Sequence, residues 1–137
     1  MKTTLFACLL VVSTTAFSTE FRIFDQHLTI RPDCVLEIKR PDGSQEKKAL
    51  PLNGNGKCTI INLGHTNIPQ LEFVHGAYVF LVELPEGLGE DCSAVYVGVA
   101  VPRNGRVKVL PEVRRTGTCG ADRDRKEFEY LYYQGTK

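Results

Sequence analysis

Residues 77–84 read AYVFLVEL, and residues 93–101 read SAVYVGVAV. Both runs are almost wholly apolar, rich in β-branched and aromatic side chains, and short. Bounded by turn residues, such runs predict central strands covered on both faces. Small residues are interleaved in the second run. A loop, PEGLGED at 85–91, joins the two. After the second run, Pro102-Arg103-Asn104-Gly105 turns the chain, and RVKVL at 106–110 returns with clean alternation. That is hairpin chemistry, in which proline presets φ and glycine accepts a positive one.

The same punctuation continues toward the N-terminus. CVLEIKR at 34–40 alternates, with Val35, Glu37 and Lys39 facing one way and Leu36, Ile38 and Arg40 the other. Pro41-Asp42-Gly43-Ser44 turns it into residues 45–50, and Asn53-Gly54-Asn55-Gly56 marks a second hairpin into KCTIINL at 57–63. These three runs predict a meander. Residues 21–24, 27–30 and 127–133 are shorter strand candidates. Residues 122–133, DRDRKEFEYLYY, carry two periods: Phe128, Leu131 and Tyr132 recur at helical spacing, whereas Phe128, Tyr130 and Tyr132 alternate. Aromatic side chains favour strands, so a strand is expected there. About seven or eight short strands with frequent turns predict an all-β domain, a small antiparallel β-sandwich or partly open β-barrel. Neither a repeat nor a low-complexity linker interrupts it, which makes residues 19–137 one expected domain.

The N-terminus reads as an export signal. Lys2 supplies a positive start, LFACLLVV at 5–12 an apolar stretch, and Ser13 to Ala16 a small, polar end. Cleavage is expected after Ala16 or Ser18. The apolar stretch is shorter than the roughly 20 residues a bilayer span needs. Lys2 is the only one of 17 Lys and Arg in this segment, and none of the 16 Asp and Glu is, so the remaining chain is neutral. Neutrality argues against nucleic acid as a partner and against global attraction to an anionic membrane. No second apolar run or lipid-anchor signal follows, so no membrane anchor is expected.

Four cysteines follow the signal: Cys34, Cys58, Cys92 and Cys119. An even number in an exported chain favours two disulfides over a metal site, and the cysteines lack metal-hairpin spacing. Two-by-two pairing across the Pro102-Arg103-Asn104-Gly105 turn sets Cys92 opposite Arg115, close enough to Cys119 for a loop to bring the two cysteines together. Cys34 and Cys58 both fall opposite Pro51, one on each side of it. A flat ladder would hold them nearly 10 Å apart, at strand spacings of about 4.8 Å. A disulfide spans at most about 7 Å between Cα atoms. The pairing Cys34–Cys58 therefore demands that the ladder break near Pro51, where proline cannot donate.

Chemistry-bearing patterns are sparse. His27, His65 and His75 form no metal pair, and no serine has a nucleophile-elbow setting. Glu86, Glu90 and Asp91 share one loop. Asp122, Asp124, Glu127 and Glu129 are interleaved with Arg123 and Arg125, which reads as a self-neutralised surface rather than a calcium loop. No catalytic residue, cofactor or metal is expected. Arg103, Arg106 and Lys108, with Arg114 and Arg115 beyond them, suggest a basic strand face able to meet a sulfated glycan or an acidic protein. Arg114-Arg115 also has the form of a dibasic processing site. Tyr130, Tyr132 and Tyr133 offer interface-type contact area. The resulting expectation is a secreted, non-enzymatic binding protein acting on an extracellular or host protein, with a host-directed effector as one setting. The alternatives are a small secreted hydrolase with a site in the loops around His65 and Asp91, and a glycan-binding module on the basic strand.

Overall fold

The computed structural model describes residues 18–87 and 92–137, so the expected signal segment up to residue 17 lies outside the described residues. The described residues form nine strands and one helix: β1 Thr19–Ile23, β2 Gln26–Ile30, β3 Val35–Lys39, β4 Gln45–Ala49, β5 Thr59–Ile60, β6 Glu72–Val74, β7 Ala77–Pro85, β8 Ala94–Pro102, β9 Lys108–Thr116 and α1 Arg125–Gly135. The first four make an antiparallel sheet in chain order. The rest make a second antiparallel sheet, ordered β5-β7-β8-β9, with β6 also pairing to β7. The expected sandwich is therefore present, with a helix added to it.

Alternation decides which residues fill which layer. Leu28, Ile30, Leu36 and Ile38 of the first sheet meet Phe80, Val82, Leu84, Val95, Val97, Val99 and Val101 of the second. On the opposite face of the second sheet, Val79, Leu81, Tyr96 and Ala100 pack with Leu110 and with Phe128 and Leu131 of α1. The strands β7 and β8 are thus covered twice, which is why their sequences run apolar without a break.

Residues 125–135 correct the expectation of a strand at 122–133. Asp124 caps the helix, its side chain accepting from the Lys126 N–H. An aspartate at the N-cap satisfies a backbone donor that the first turn leaves unpaired. Phe128 and Leu131, three residues apart, then bury on one helix face, whereas Tyr130 is exposed. The small residues in β8 make room for this layer. A Cβ on Gly98 would lie 2.8 Å from Leu110 Cδ1 and 3.6 Å from Leu131 Cδ1.

The meander is also corrected in part. β3 and β4 pair as expected, Val35 opposite Ala49 and Lys39 opposite Gln45. Beyond Leu50 the chain leaves the first sheet, and β5 pairs with β7 in the second. The break near Pro51 demanded by the disulfide is where this crossing starts. Cys34 and Cys58 are bonded with their Cα atoms 5.1 Å apart, and Cys92 and Cys119 with theirs 5.7 Å apart. The register of the β8–β9 hairpin differs from two-by-two pairing: Ala100 stands opposite Lys108 near the turn, and a bulge between Val97 and Val99 shifts it further, setting Val95 opposite Arg115. Pro111 lies in the bulged stretch of β9, where it has no ladder bond to donate.

The strand β4 forms an edge of the first sheet. Its inward positions, opposite Ile38 and Leu36, are Glu46 and Lys48. Both are half-buried and pair with each other at 3.1 Å, and Arg40 also bonds Glu46. The hydrogen bond from Arg40, followed by that from Lys48, holds the Glu46 carboxyl below the usual range. Inward charges at an edge discourage pairing with another chain.

Candidate functional site

Four hairpin turns and the end of α1 converge at one end of the sandwich. The turn after β1 carries Phe24 and Asp25, between the paired Ile23 and Gln26. The turn after β6 is His75-Gly76, between the paired Val74 and Ala77. A backbone bond from Arg103 N–H to the Gly76 carbonyl, 3.3 Å, ties the turn after β8 to the turn after β6. The Arg103 guanidinium lies over the Phe24 ring at 5.6 Å. A depression of about 360 Å³ is shared by Phe24, Asp25, Arg40, Asp42, Arg103 and Gly105, which brings in the turn after β3.

Aromatic rings sheathe the β6–β7 hairpin. Tyr78 meets Phe24 at 5.4 Å and Phe73 at 5.1 Å between ring centroids. His75 stacks near Tyr132 at 6.1 Å, lies 5.1 Å from Tyr133, and shares a hydrogen bond between its Nε2 and the Tyr133 hydroxyl. Phe73 is 44% exposed and Tyr133 48%, so this apolar area faces solvent. Tyr132 and Tyr133 thus reach this end as helical residues and not as the last strand of the sheet.

The backbone here is unusual. Phe24 has φ 52° and His75 φ 46°. Bulky side chains rarely adopt the left-handed region, and tight two-residue hairpin turns favour glycine or asparagine there. Gly76, at φ 82°, meets that preference, but Phe24 and His75 do not. Among the described residues the third non-glycine at positive φ is Cys34, which is held by its disulfide.

The expected basic face is dispersed. Arg103 lies on Phe24, Arg106 sits exposed in the turn before β9, and Lys108 at the start of β9 donates to the Gly135 carbonyl. Arg106 and Lys108 instead line a cleft of about 550 Å³ with Lys48, Ala49, Val107 and Val109, where the edges of the two sheets face each other. Arg114 and Arg115 lie within β9, paired with Glu127 at 3.0 Å and Glu86 at 2.5 Å. A dibasic pair inside a strand is a poor protease substrate compared with an exposed loop.

The acidic cluster is used in structure. Asp124 caps α1, Glu129 pairs with Arg125 at 3.0 Å, and Glu127 accepts from the Tyr96 hydroxyl at 2.7 Å. Burial first, then the Glu127 hydrogen bond, push the Tyr96 hydroxyl up to about 12. His65 sits exposed between Leu63 and Ile68, whose backbones bond to each other at 2.9 Å. Asp91, whose loop was the other half of the alternative hydrolase site, lies outside the described residues, as does Glu90. Phe24, Phe73 and Tyr78, absent from the sequence-based candidates, were legible only as ordinary strand aromatics.

Comparison with known proteins finds no match to this chain among protein-family models, curated proteins or solved structures.

Proposed function

We propose that this chain is a secreted, non-enzymatic binding protein that meets a protein partner with the convergent hairpin tips. The observation that carries the reading is the pair of strained positions, Phe24 and His75, at the tips of hairpins in one end of the fold. A bulky residue at positive φ costs of order 1–3 kcal/mol, and such strain gathers at functional sites. Glycine would serve either turn better, so the rings are placed there for something other than the turn. Around them lie exposed Phe73 and Tyr133 and the planar cation of Arg103, the residue types that anchor protein interfaces. Two disulfides, and no described helix long and apolar enough to cross a membrane, fit an extracellular setting. A host-directed effector is one biological form of this role.

Crosslinking capture from extracellular fluid, quantified against variants, tests it. The double variant Phe73→Ala/Tyr133→Ala should lose the partner, and Ile68→Ala, an exposed apolar site in another loop, should keep it. Equal capture by both variants removes the tips as the binding surface. Turnover of ester, glycoside or phosphate substrates that vanishes in His65→Ala would favour the hydrolase instead.

A further inference from the structure

The outer face of the first sheet holds an arrangement that folding alone does not favour. Arg22 stands opposite His27 across β1 and β2, and His27 opposite Lys39 across β2 and β3. Three basic side chains therefore form one cross-strand row, ending at Gln45 on β4. Arg22 and Lys39 carry fixed positive charge on either side of His27, and like charges on one sheet face repel each other.

Most acids nearby have partners, Glu20 at His27 itself and the others away from Arg22 and Lys39, while Asp25 lines the depression beside them. Glu20 lies 3.6 Å from His27, Glu37 pairs with Arg31 at 3.2 Å and Lys47 at 3.7 Å, and Glu46 pairs with Arg40 and Lys48. The Asp42 carboxylate accepts from the Ser44 N–H at 2.8 Å. Among the described residues, neither Arg22 nor Lys39 has an ion-pair partner. Both are exposed, and with His27, Asp25, Arg40 and Pro41 they line a depression of about 380 Å³. That depression shares Asp25, Arg40 and Pro41 with the one that reaches Arg103 at the hairpin tips.

We propose that this row is a binding site for sulfate esters of a glycan, with Arg22 and Lys39 gripping one sulfate across His27 and the chain continuing past Arg40 toward Arg103. Guanidinium supplies a planar fork for a tetrahedral oxyanion, and the lysine ammonium a point charge beside it. An anion between them would turn a repulsive row into an attractive one. The depression is shallow, open and lined by polar side chains, which suits a hydrated chain and not an inserted apolar residue. The choice of sulfated glycan over nucleic acid rests on the extracellular reading proposed above. The site itself rests on different residues from the aromatic tips, so either can fail alone.

The test is calorimetric titration of the full secreted chain with a heparin-derived hexasaccharide across a salt series. Wild-type protein should bind with an affinity that falls as salt rises, and a desulfated hexasaccharide should not bind. Arg22→Glu/Lys39→Glu should weaken binding by at least about tenfold and flatten the salt dependence, since two fewer contacts release fewer counterions. Its melting temperature should match that of wild type, because both side chains are exposed, so weaker binding cannot be ascribed to misfolding. Arg106→Glu/Lys108→Glu, in the cleft between the sheet edges, should stay within about twofold. Unchanged affinity in Arg22→Glu/Lys39→Glu overturns the proposal. So does a larger loss in Arg106→Glu/Lys108→Glu, or a single-stranded DNA of matched charge binding equally well.

Discussion

Glu83 lies in the second half of β7 with only 3% of its surface exposed. One carboxylate oxygen accepts from the Gly120 N–H at 2.6 Å, while the other has no hydrogen-bond partner among the described residues. Its neighbours across the sheet are Thr59 on β5 and Tyr96 on β8, and Arg123 is the charge that favours its anion. Burial outweighs both the hydrogen bond and Arg123, and raises the carboxyl above its ordinary value. The folded protein therefore keeps this proton to higher pH than the unfolded chain does. The contribution to stability is greatest below the ordinary glutamate value and declines as pH rises from there through the raised one. Glu83→Gln should remove that slope and stabilise the protein at neutral pH, because the amide keeps an acceptor for Gly120 without burying a charge. Urea unfolding of both proteins at several pH values checks this; a parallel pair of pH profiles would show that Glu83 does not carry the slope.

At the scale of elements, α1 depends on a cap, a packed face and a gap in the sheet. Asp124→Ala removes the acceptor for the Lys126 N–H and should cost about 1 kcal/mol. Gly98→Val pushes a branched side chain toward Leu110 and Leu131 and should cost about 1–3 kcal/mol by overpacking. The two effects should reach the same observable, loss of helical circular dichroism before the sheet unfolds, if α1 is an added layer and the sandwich stands without it. Coincident loss of both signals would make helix and sheets one cooperative unit. The helix was hard to read because its pattern also alternates. Phe128, Tyr130 and Tyr132 satisfy a period of two as well as Phe128, Leu131 and Tyr132 satisfy the helical one. The Asp124 cap and the small residues of β8 were visible, but their joint meaning depends on β8 and α1 being stacked.

For the whole molecule, the two disulfides act at different joints. Cys34–Cys58 ties the start of β3 in the first sheet to the approach of β5 in the second, closing a separation of 24 residues. Cys92–Cys119 ties the approach of β8 to the segment between β9 and α1. Cys34→Ala/Cys58→Ala should cost about 3 kcal/mol through the freed unfolded chain. A peptide map of the non-reduced protein should recover Cys34–Cys58 and Cys92–Cys119 as the linked pairs. Any other pairing would be incompatible with a crossing between sheets at Pro51.

The amino-acid sequence by itself determined the strand-rich class, the doubly buried pair at 77–84 and 93–101, and the hairpin at Pro41 to Ser44, and it favoured the two disulfide pairings with the break that one requires. These follow from local rules: side-chain period, turn residues, chain reach. Tertiary structure alone decided that the run after Asn53-Gly54-Asn55-Gly56 joins the other sheet, that 125–135 coils against β8, and that Phe24, Phe73, His75 and Tyr133 gather at one end. It also decided that Arg22, His27 and Lys39 align, since cross-strand neighbours are set by register and lie far apart along the chain. Long-range pairing depends on which buried faces find each other, and no local pattern records that choice.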